Sequence, residues 1–162
     1  TPLLKARLRG IGALPGGSRN LRGPVARAAG SGSDSRESDA IYRELGFEVR
    51  TGDAEDAWAR LWQRLVEIMA SLDLVEAAGE PGLAHLRDID SASGTGEASV
   101  ETPRGHAQLS LTLERGQVTS YKLDTACSHH IGLVAGLVEG RELGDALVAV
   151  GSLDLSPWEV IS

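Results

Sequence analysis

The chain has 162 residues, a formal net charge of −7 and a single cysteine. Its longest apolar run falls far short of the ~20 residues that cross a bilayer, so composition excludes a direct membrane span. The lone cysteine excludes an internal disulfide and is typical of a reducing compartment. The length favours one domain with a real core. No signal peptide is visible. Because the sequence has no initiator methionine and residues 1–5 look like the inside of an element, we expect a fragment.

Charge is divided unevenly along the chain. Residues 1–33 carry six basic residues and no acidic one, whereas the remainder carries ten basic and 23 acidic residues. Such a basic arm can dock nucleic acid or an acidic protein surface, or it can fold over the acidic body of its own chain. No aromatic residue stands between the arginines, so a stacking platform for single strands is not expected. We predict no nucleic-acid partner.

Residues 1–33 are predicted to form an irregular, glycine-rich arm. An apolar first turn can finish a helix that Gly10 ends. The arm holds seven glycines and few large apolar groups, so it is expected to be poorly ordered alone. Gly30 and Gly32 form a G-x-G pattern, which is a weak phosphate-binding signal because no strand precedes it.

The body, residues 34–162, is predicted to be mainly helical. Its clearest element is a long helix that begins near Asp53 and stops at residues 79–82. Apolar residues recur along this helix at helical spacing: Trp58, Leu61, Trp62, Leu65, Ile68, Met69 and Leu72. We expect Trp62 in the core of the chain and Trp58 at an interface with a partner.

A β-hairpin is predicted at about residues 99–124. Apolar and polar residues alternate from Ala107 to Glu114, which gives a strand with one apolar face and one solvated face. Residues 115–117 supply the turn to a returning strand. The small, polar residues 91–99 are expected to form a mobile linker before the hairpin. The predicted fold class is therefore α+β, mainly α, with helices packed around one hairpin.

Two further helices are predicted beyond the hairpin. Ser128 can cap the first, which closes near Gly140, and the second covers residues 143–150 and ends at Gly151. The residues that follow contain Pro157 and are expected to form an extended tail.

The densest group of potential ligands and nucleophiles is Cys127-Ser128-His129-His130. A structural zinc site needs four Cys or His ligands, and the other histidines lack ligand spacing to this group. Cys127 and His129 are also a candidate nucleophile pair, with only Asp124 nearby as a carboxylate to orient it. We favour a helix start with partly buried histidines and predict that this chain binds no metal or cofactor itself.

Arg104 is the residue that we single out as a candidate site residue. It follows Pro103, which fixes φ, and precedes Gly105, which permits close backbone approach, so Arg104 is expected on a stiff corner. Two alternatives stay open. Arg104 is either a surface cation that pairs with Glu101 or a fixed cation that lines a site.

Five motifs in order resemble one superfamily: Arg9-Gly10-Ile11-Gly12, residues 23–30, Asp34-Ser35-Arg36, residues 100–105, and Gly151-Ser152-Leu153-Asp154. The chain resembles the C-terminal half of the large subunit of group 4 nickel–iron hydrogenases, the formate-hydrogenlyase type. It equally resembles the homologous quinone-site large subunit of respiratory complex I, the NADH–quinone oxidoreductase.

The resemblance implies a membrane-bound redox complex on the cytoplasmic side, to which this chain is attached through partner subunits. Those partners would be an iron–sulfur (small) subunit and membrane subunits, and quinone and iron–sulfur clusters would belong to the full complex. By the same resemblance, Arg104 with Glu101 forms part of the active-site lining. The alternative is a scaffold or interaction module that keeps the family fold without catalysis.

One departure from the hydrogenase pattern concerns the metal. In the hydrogenases that the chain resembles, the last motif continues into a Cys-x-x-Cys pair that holds nickel. Ser156 and Glu159 stand at those positions here. Nickel in such sites needs soft thiolate ligands, which serine and glutamate do not replace. We therefore predict that the nickel ligands are absent.

Overall fold

In the computed structural model, residues 1–14, 20–80, 82 and 91–160 are described. Within them the chain forms eight α-helices and one antiparallel sheet, whose strand order is β1-β2-β3. The helices are α1 (Pro2–Leu8), α2 (Gly23–Ala28), α3 (Ala40–Glu44), α4 (Ala57–Ala78), α5 (Ala126–His130), α6 (Val134–Val138), α7 (Leu143–Gly151) and α8 (Pro157–Val160). The strands are β1 (Gly94–Thr102), β2 (Gly105–Glu114) and β3 (Gln117–Asp124). The predicted α+β class is confirmed.

The hydrophobic core is small and is built largely around α2, α6 and α7. Five buried apolar residues form it: Leu14, Val25, Leu137, Ala149 and Leu153. All six residues of α2 are buried, although they lie in the arm that was expected to be irregular. The sequence of α2 is Gly-Pro-Val-Ala-Arg-Ala, and such small side chains let neighbouring segments approach closely. Packing rather than apolar content therefore orders this part of the arm, while a domain boundary after residue 33 stays a prediction.

The long helix α4 begins three residues later than Asp53, the predicted cap. Asp56 is the N-cap, and its side chain accepts a hydrogen bond from the Ala59 amide at 2.8 Å. Gly79, with a φ of 63°, ends the helix as predicted. The Asp56 carboxylate also accepts a hydrogen bond from the Gly10 amide at 2.8 Å. This contact with the arm favours Asp56 over Asp53 as the N-cap.

The side of α4 that packs against the rest of the chain is polar. Its buried residues are Ala57, Arg60 and Gln63. Most of the predicted apolar stripe instead faces outward. Five of its side chains, and that of Val75 one turn further on, are 45% to 68% exposed: Trp62, Leu65, Ile68, Met69, Leu72 and Val75. The expectation that Trp62 lies in the core is wrong. The physical reason is that Arg60, Gln63 and Glu67 already occupy the inward face with hydrogen bonds.

The Arg60 side chain, on the inward side of α4, connects the arm, the residues just before α4 and the loop at Ser152. Its guanidinium donates to the carbonyls of Gly12 and Glu55, each at 2.7 Å, and to the Ser152 hydroxyl at 2.8 Å. The side chain is fully buried. Burial, and then the charge of Arg64, lower the pKa of Arg60 to about 10, so the group stays cationic at neutral pH.

The sheet contains one strand more than the predicted hairpin. β1 occupies most of the stretch that was expected to be a mobile linker, and it pairs with β2 from Gly94↔Leu113 to Thr102↔Gly105. Small and polar residues carry no alternating apolar pattern, so the strand exists because β2 offers a pairing edge. The sheet contacts the helical part of the chain through β2, which meets α2 and α5, and through β1, which meets a 3-10 helix at Ser35–Ser38.

The end of the chain differs from the prediction in three details. The single helix that was predicted up to Gly140 is divided into α5 and α6. Thr125, not Ser128, is the N-cap of α5, and the two side chains form a reciprocal capping box. The tail that was expected to be extended contains the short helix α8. Among the described residues, no helix combines the length and the apolar character that crossing a membrane requires.

Candidate functional site

A cleft of about 530 Å³ lies between α4, the end of β1 and the loop at Asp154. Its charged lining consists of Arg36, Arg64, Glu67, Glu101 and Asp154. Its apolar lining consists of Pro24, Ile68, Leu72, Val75 and Pro103. Apolar surface with a few convergent polar groups is the usual composition of a small-molecule site. Of these five charged residues, only Glu101 was predicted from the sequence to be a site residue.

Buried Arg27 holds the carboxylates of the cleft in place. Its Nε and Nη2 donate to the two oxygens of Glu67 at 2.7 and 2.8 Å. Its Nη1 donates to Glu101 Oε1 at 2.9 Å and lies 2.9 Å from Asp34 Oδ2. Burial alone would lower the pKa of Arg27, but its hydrogen bonds to Glu67 and Glu101 and the carboxylate charges raise it overall. Arg27 is therefore a permanent cation that fixes Glu67 and Glu101.

The Asp34-Ser35-Arg36 motif extends this network. Arg36 donates to both Asp34 oxygens, at 2.9 and 2.7 Å, and the Ser35 hydroxyl donates to Glu101 at 3.0 Å. Burial would raise the pKa of Asp34, but the hydrogen bond from Arg36 and the charge of Arg27 lower it overall. The motif thus links the end of β1 to α2, and sequence reasoning missed this because the partners are far apart along the chain.

Arg104 lies on the turn between β1 and β2, where the sequence predicted a stiff corner ahead of the hairpin. The turn is pressed against the start of α2, where a Cβ on Gly23 would collide with the Arg104 carbonyl. A Cβ on Gly105 would lie 2.7 Å from the Gly23 nitrogen, so both positions need glycine. The Thr102 hydroxyl accepts from the Arg104 amide at 3.2 Å and donates to the Gly105 carbonyl at 2.8 Å. The corner is therefore stiff on both sides.

Arg104 does not pair with Glu101. Its Nε donates to the Asp154 carbonyl at 2.9 Å and lies 3.3 Å from Asp154 Oδ2. Its Nη1 donates to Glu159 at 3.1 Å, and 34% of the side chain is exposed. Glu101 points instead to Arg27. The open alternative of a surface pair with Glu101 is wrong because the turn sends the two side chains to different segments.

A second arginine, Arg64, also holds the Asp154 loop. Its Nη1 donates to the Ser152 carbonyl at 2.9 Å, and its Nε lies 4.0 Å from Asp154 Oδ2. Burial lowers the pKa of Arg64. Asp154 has a φ of 56°, a left-handed conformation that is uncommon for a residue other than glycine and that clusters at functional sites. Its carboxylate is thus placed between Arg64 and Arg104, next to the cleft.

The candidate nucleophile pair of Cys127 and His129 is not formed. His129 Nε2 lies 2.8 Å from Asp124 Oδ1. Cys127 is buried, and its Sγ accepts a hydrogen bond from the Ser156 amide at 3.3 Å. Burial raises the pKa of the thiol, which is the opposite of what an activated nucleophile needs. His130 is also buried, in keeping with the predicted helix start.

The donor set around Cys127 does not fit nickel. Ser156 contributes an amide to the thiol, and Glu159 pairs with Arg104. One protonated thiol, with no second cysteine in the sequence, gives none of the soft thiolate environment that nickel in such a site requires. In the described part of the chain, no group of three or more His, Cys, Asp and Glu side chains is arranged to hold a metal ion.

The basic residues of the arm pair largely with the acidic body. Arg7 lies 2.6 Å from Asp145, and Arg22 lies 3.0 Å from Asp124. The G-x-G pattern closes α2, since the Gly30 amide donates to the Arg27 carbonyl at 3.1 Å. The alternative in which the arm folds over its own chain is therefore the one observed for these residues.

Comparison with known proteins gives consistent findings. A family profile described as "Respiratory-chain NADH dehydrogenase, 49 Kd subunit" matches residues 1–84. An NADH-quinone oxidoreductase subunit of Herpetosiphon aurantiacus is 28% identical and matches 98% of this chain and 47% of its own length. The carbon monoxide-induced hydrogenase of Rhodospirillum rubrum is 30% identical and matches 74% of this chain and 33% of its own length. The chain thus spans about half, or less, of these curated relatives.

A solved structure shares the fold. A chain of the membrane-bound sulfane sulfur reductase, an archaeal respiratory membrane complex, aligns with a TM-score of 0.81 at 23% identity. The alignment covers 100% of this chain and 48% of that chain. The complete arrangement of helices and sheet described above therefore recurs within a longer polypeptide.

Proposed function

The chain belongs to the family of the 49 kDa subunit of respiratory-chain NADH dehydrogenases, and on that premise we propose that it is part of the large subunit of a membrane-associated redox complex. The complex is of the NADH–quinone oxidoreductase or hydrogenase type, since relatives of both names are similar to the chain. The family resemblance inferred from the sequence is confirmed. In the proposed complex the chain lies on the cytoplasmic face, held by an iron–sulfur subunit and membrane subunits.

The single observation that supports a role at the substrate site is the cleft. Its apolar lining suits the ring and tail of a quinone, and its charged lining offers hydrogen bonds to the quinone oxygens. Reduction adds electrons and protons to those oxygens, and fixed cations such as Arg36 and Arg64 favour the negative charge that develops there. In this proposal the electrons arrive from iron–sulfur clusters of the neighbouring subunit, and this chain supplies no nickel.

The two predicted site residues take different roles in the proposal. Glu101 faces the cleft and is held by Arg27, so it can accept a hydrogen bond from a bound substrate. Arg104 acts through Asp154 and is a positioning residue, because it fixes the loop that borders the cleft. The non-catalytic alternative is favoured by the exposed apolar surface of α4, which suits an assembly module.

The test is to isolate the complex from membranes of the source organism through a tag on this chain. We expect iron–sulfur signals in electron paramagnetic resonance, quinone reduction and no stoichiometric nickel by elemental analysis. Glu101→Gln should lower quinone reduction about 10²-fold with the complex intact by sizing, as misplacement of a positioned group does. Glu97→Gln, on the same face of β1 but exposed, is the matched control.

Three results would count against the proposal. Isolation without iron–sulfur signals would remove the redox assignment. Equal activity of both variants would favour the scaffold alternative. Stoichiometric nickel would contradict the absence of its ligands.

A further inference from the structure

The apolar face of α4, defined as Trp62, Leu65, Ile68, Met69, Leu72 and Val75, has no cover in the described chain. The opposite side of the helix is filled, because Gln63 donates to the Arg50 carbonyl at 2.6 Å and Glu67 is held by Arg27. An amphipathic helix normally turns its apolar stripe inward. Here the polar side is the one that this chain buries, so the apolar side is left for another body.

The composition of the face restricts what can cover it. Its six side chains include no charged residue, although the chain as a whole is acidic with a net charge of −7. A nucleic acid or a strongly charged protein surface would form no ion pairs with this face. A second apolar surface would bury its large side chains away from water, which favours binding. Contiguous apolar patches of this kind on soluble proteins mark interaction surfaces.

The spacing along the face indicates a helical partner. Within the face, Leu65, Ile68, Leu72 and Val75 follow one another at intervals of three, four and three residues. Such spacing is typical of a helix that packs against a second helix at a small crossing angle, with the side chains of the two helices interdigitated. The helix has 22 residues, so the apolar face runs over several turns and fits a partner helix of similar length.

The relatives indicate where such a helix comes from. This chain spans 47% of the Herpetosiphon relative and 48% of the archaeal chain that shares its fold. Each of them therefore has about half a polypeptide more than is seen here. We propose that the apolar face of α4 docks helices from that complementary part of a family large subunit, whether it lies on the same polypeptide or on a separate one.

The cleft is incomplete without this partner. Ile68, Leu72 and Val75 belong both to the apolar face and to the cleft lining. A helix that covers the face must approach these residues, and it then borders the space that Glu101 faces. The partner thus shields the cleft from water and adds side chains to the site. This inference rests on family membership and not on the proposed redox activity.

The test is photo-crosslinking in the complex isolated as above, with p-benzoylphenylalanine in place of Met69. The matched control is the same replacement at Ala77, which is exposed and lies outside the apolar face of α4. We expect the Met69 position, and not Ala77, to crosslink to a segment that mass spectrometry matches to the part of the relatives outside the present chain. No turnover is needed, so the result is independent of quinone reduction.

A second measurement uses the charged variant Met69→Glu. The purified chain should keep its midpoint of thermal unfolding within about 1 °C, since exposed positions tolerate charge. In the complex, a protease should cut the complementary part at least about tenfold faster, whether that part lies on the same polypeptide or on a separate one. Crosslinks from Met69 to lipid, to a second copy of this chain or only to another class of subunit would overturn the proposal. So would a large drop in the thermal midpoint, because it would show that the face is packed within the chain.

Discussion

The two sides of α4 exchange the roles usually assigned to apolar and polar residues. On the inward side, Arg60 and Glu67 of α4 form hydrogen bonds with the rest of the chain, and the partner of Glu67 is Arg27 of α2. On the outward side, Trp62 is 55% exposed and its apolar neighbours are similar. The comparison teaches that an amphipathic pattern identifies a helix but does not say which side its own chain covers. For a subunit that is completed by another body, the apolar side can be the outer one.

The largest expected effect comes from breaking the polar side at Arg27. Arg27→Leu leaves Asp34, Glu67 and Glu101 without their shared cation. Removing one partner from a buried ion network typically costs about 3–5 kcal/mol, so we expect a loss of that size in the free energy of unfolding. Chemical denaturation measures it, with the exposed Arg43→Leu as a control that should change little. A loss below about 1 kcal/mol would show that the network is not what holds α2 to α4.

The buried His130 sharpens the comparison through pH. Its Nε2 accepts from the Arg22 amide at 3.1 Å, and burial, followed by the charges of neighbouring groups led by His129, lowers its pKa to about 4. The unfolded chain, with a pKa near 6.5, therefore binds more protons between these values, and stability falls as the pH drops through this window. We expect this histidine to account for about 3 kcal/mol of loss between pH 7 and pH 4.

His130→Gln isolates that contribution. It keeps a side-chain oxygen for the Arg22 amide but cannot titrate, so its free energy of unfolding should fall less on acidification than that of the native chain. His106→Gln is the matched control, since His106 is a partly exposed histidine outside this cluster. Asp34 and Asp124, whose pKa values are lowered in the fold, lose their contribution at still lower pH in all three proteins. Identical pH profiles for His130→Gln and the native chain would contradict the assignment.

A smaller effect is expected at the contact between α2 and the Arg104 turn. Gly23→Ala forces a Cβ against the Arg104 carbonyl at a φ of 58°, and we expect a loss of about 2 kcal/mol. Gly46 has a φ of 78° with open space around it, so Gly46→Ala reports the backbone cost alone. Thermal unfolding of both variants gives the difference. If Gly23→Ala proved no worse than Gly46→Ala, the close approach would not constrain the turn.

The smallest effect is expected on the apolar side. Trp62 is stacked on Trp58 with ring centroids 6.0 Å apart, but more than half of its surface faces solvent. Trp62→Ala should therefore cost the purified chain about 1 kcal/mol or less, which is the range of an aromatic pair. Trp58→Ala should cost more, because that ring is half-buried and lies under Lys5. A loss above about 3 kcal/mol for Trp62→Ala would show that it is a core residue after all.

The fold elements that could be predicted are those with a local signal. Helical spacing marked α4, alternation marked β2, and Gly116 marked the hairpin turn, because each pattern lies within one stretch of sequence. β1 and α2 carry no such pattern. β1 is a strand because β2 pairs with it, and α2 is a helix of small residues that packing holds in place.

The candidate site was predicted only in part for the same reason. Pro103 and Gly105 on either side of Arg104 indicate a stiff corner, so the sequence alone could place Arg104 on such a corner. Its partner Asp154 lies 50 residues further along the chain, and no local rule selects that residue over Glu101. Arg64 and Glu67 lie off the apolar stripe of α4, where polar residues usually face solvent, so helical spacing gave no reason to expect them at a site.

Arg60 has a consequence for the order in which the chain folds. Its guanidinium satisfies carbonyls near residues 12 and 55 and a hydroxyl at Ser152, which brings together both ends of the sequence. Desolvating this cation is unfavourable until all three acceptors are in place. We therefore expect the segments around Gly12 and Ser152 to pack against α4 late in folding. Because their contacts are far apart in sequence, this packing should be one cooperative step and not an early local event.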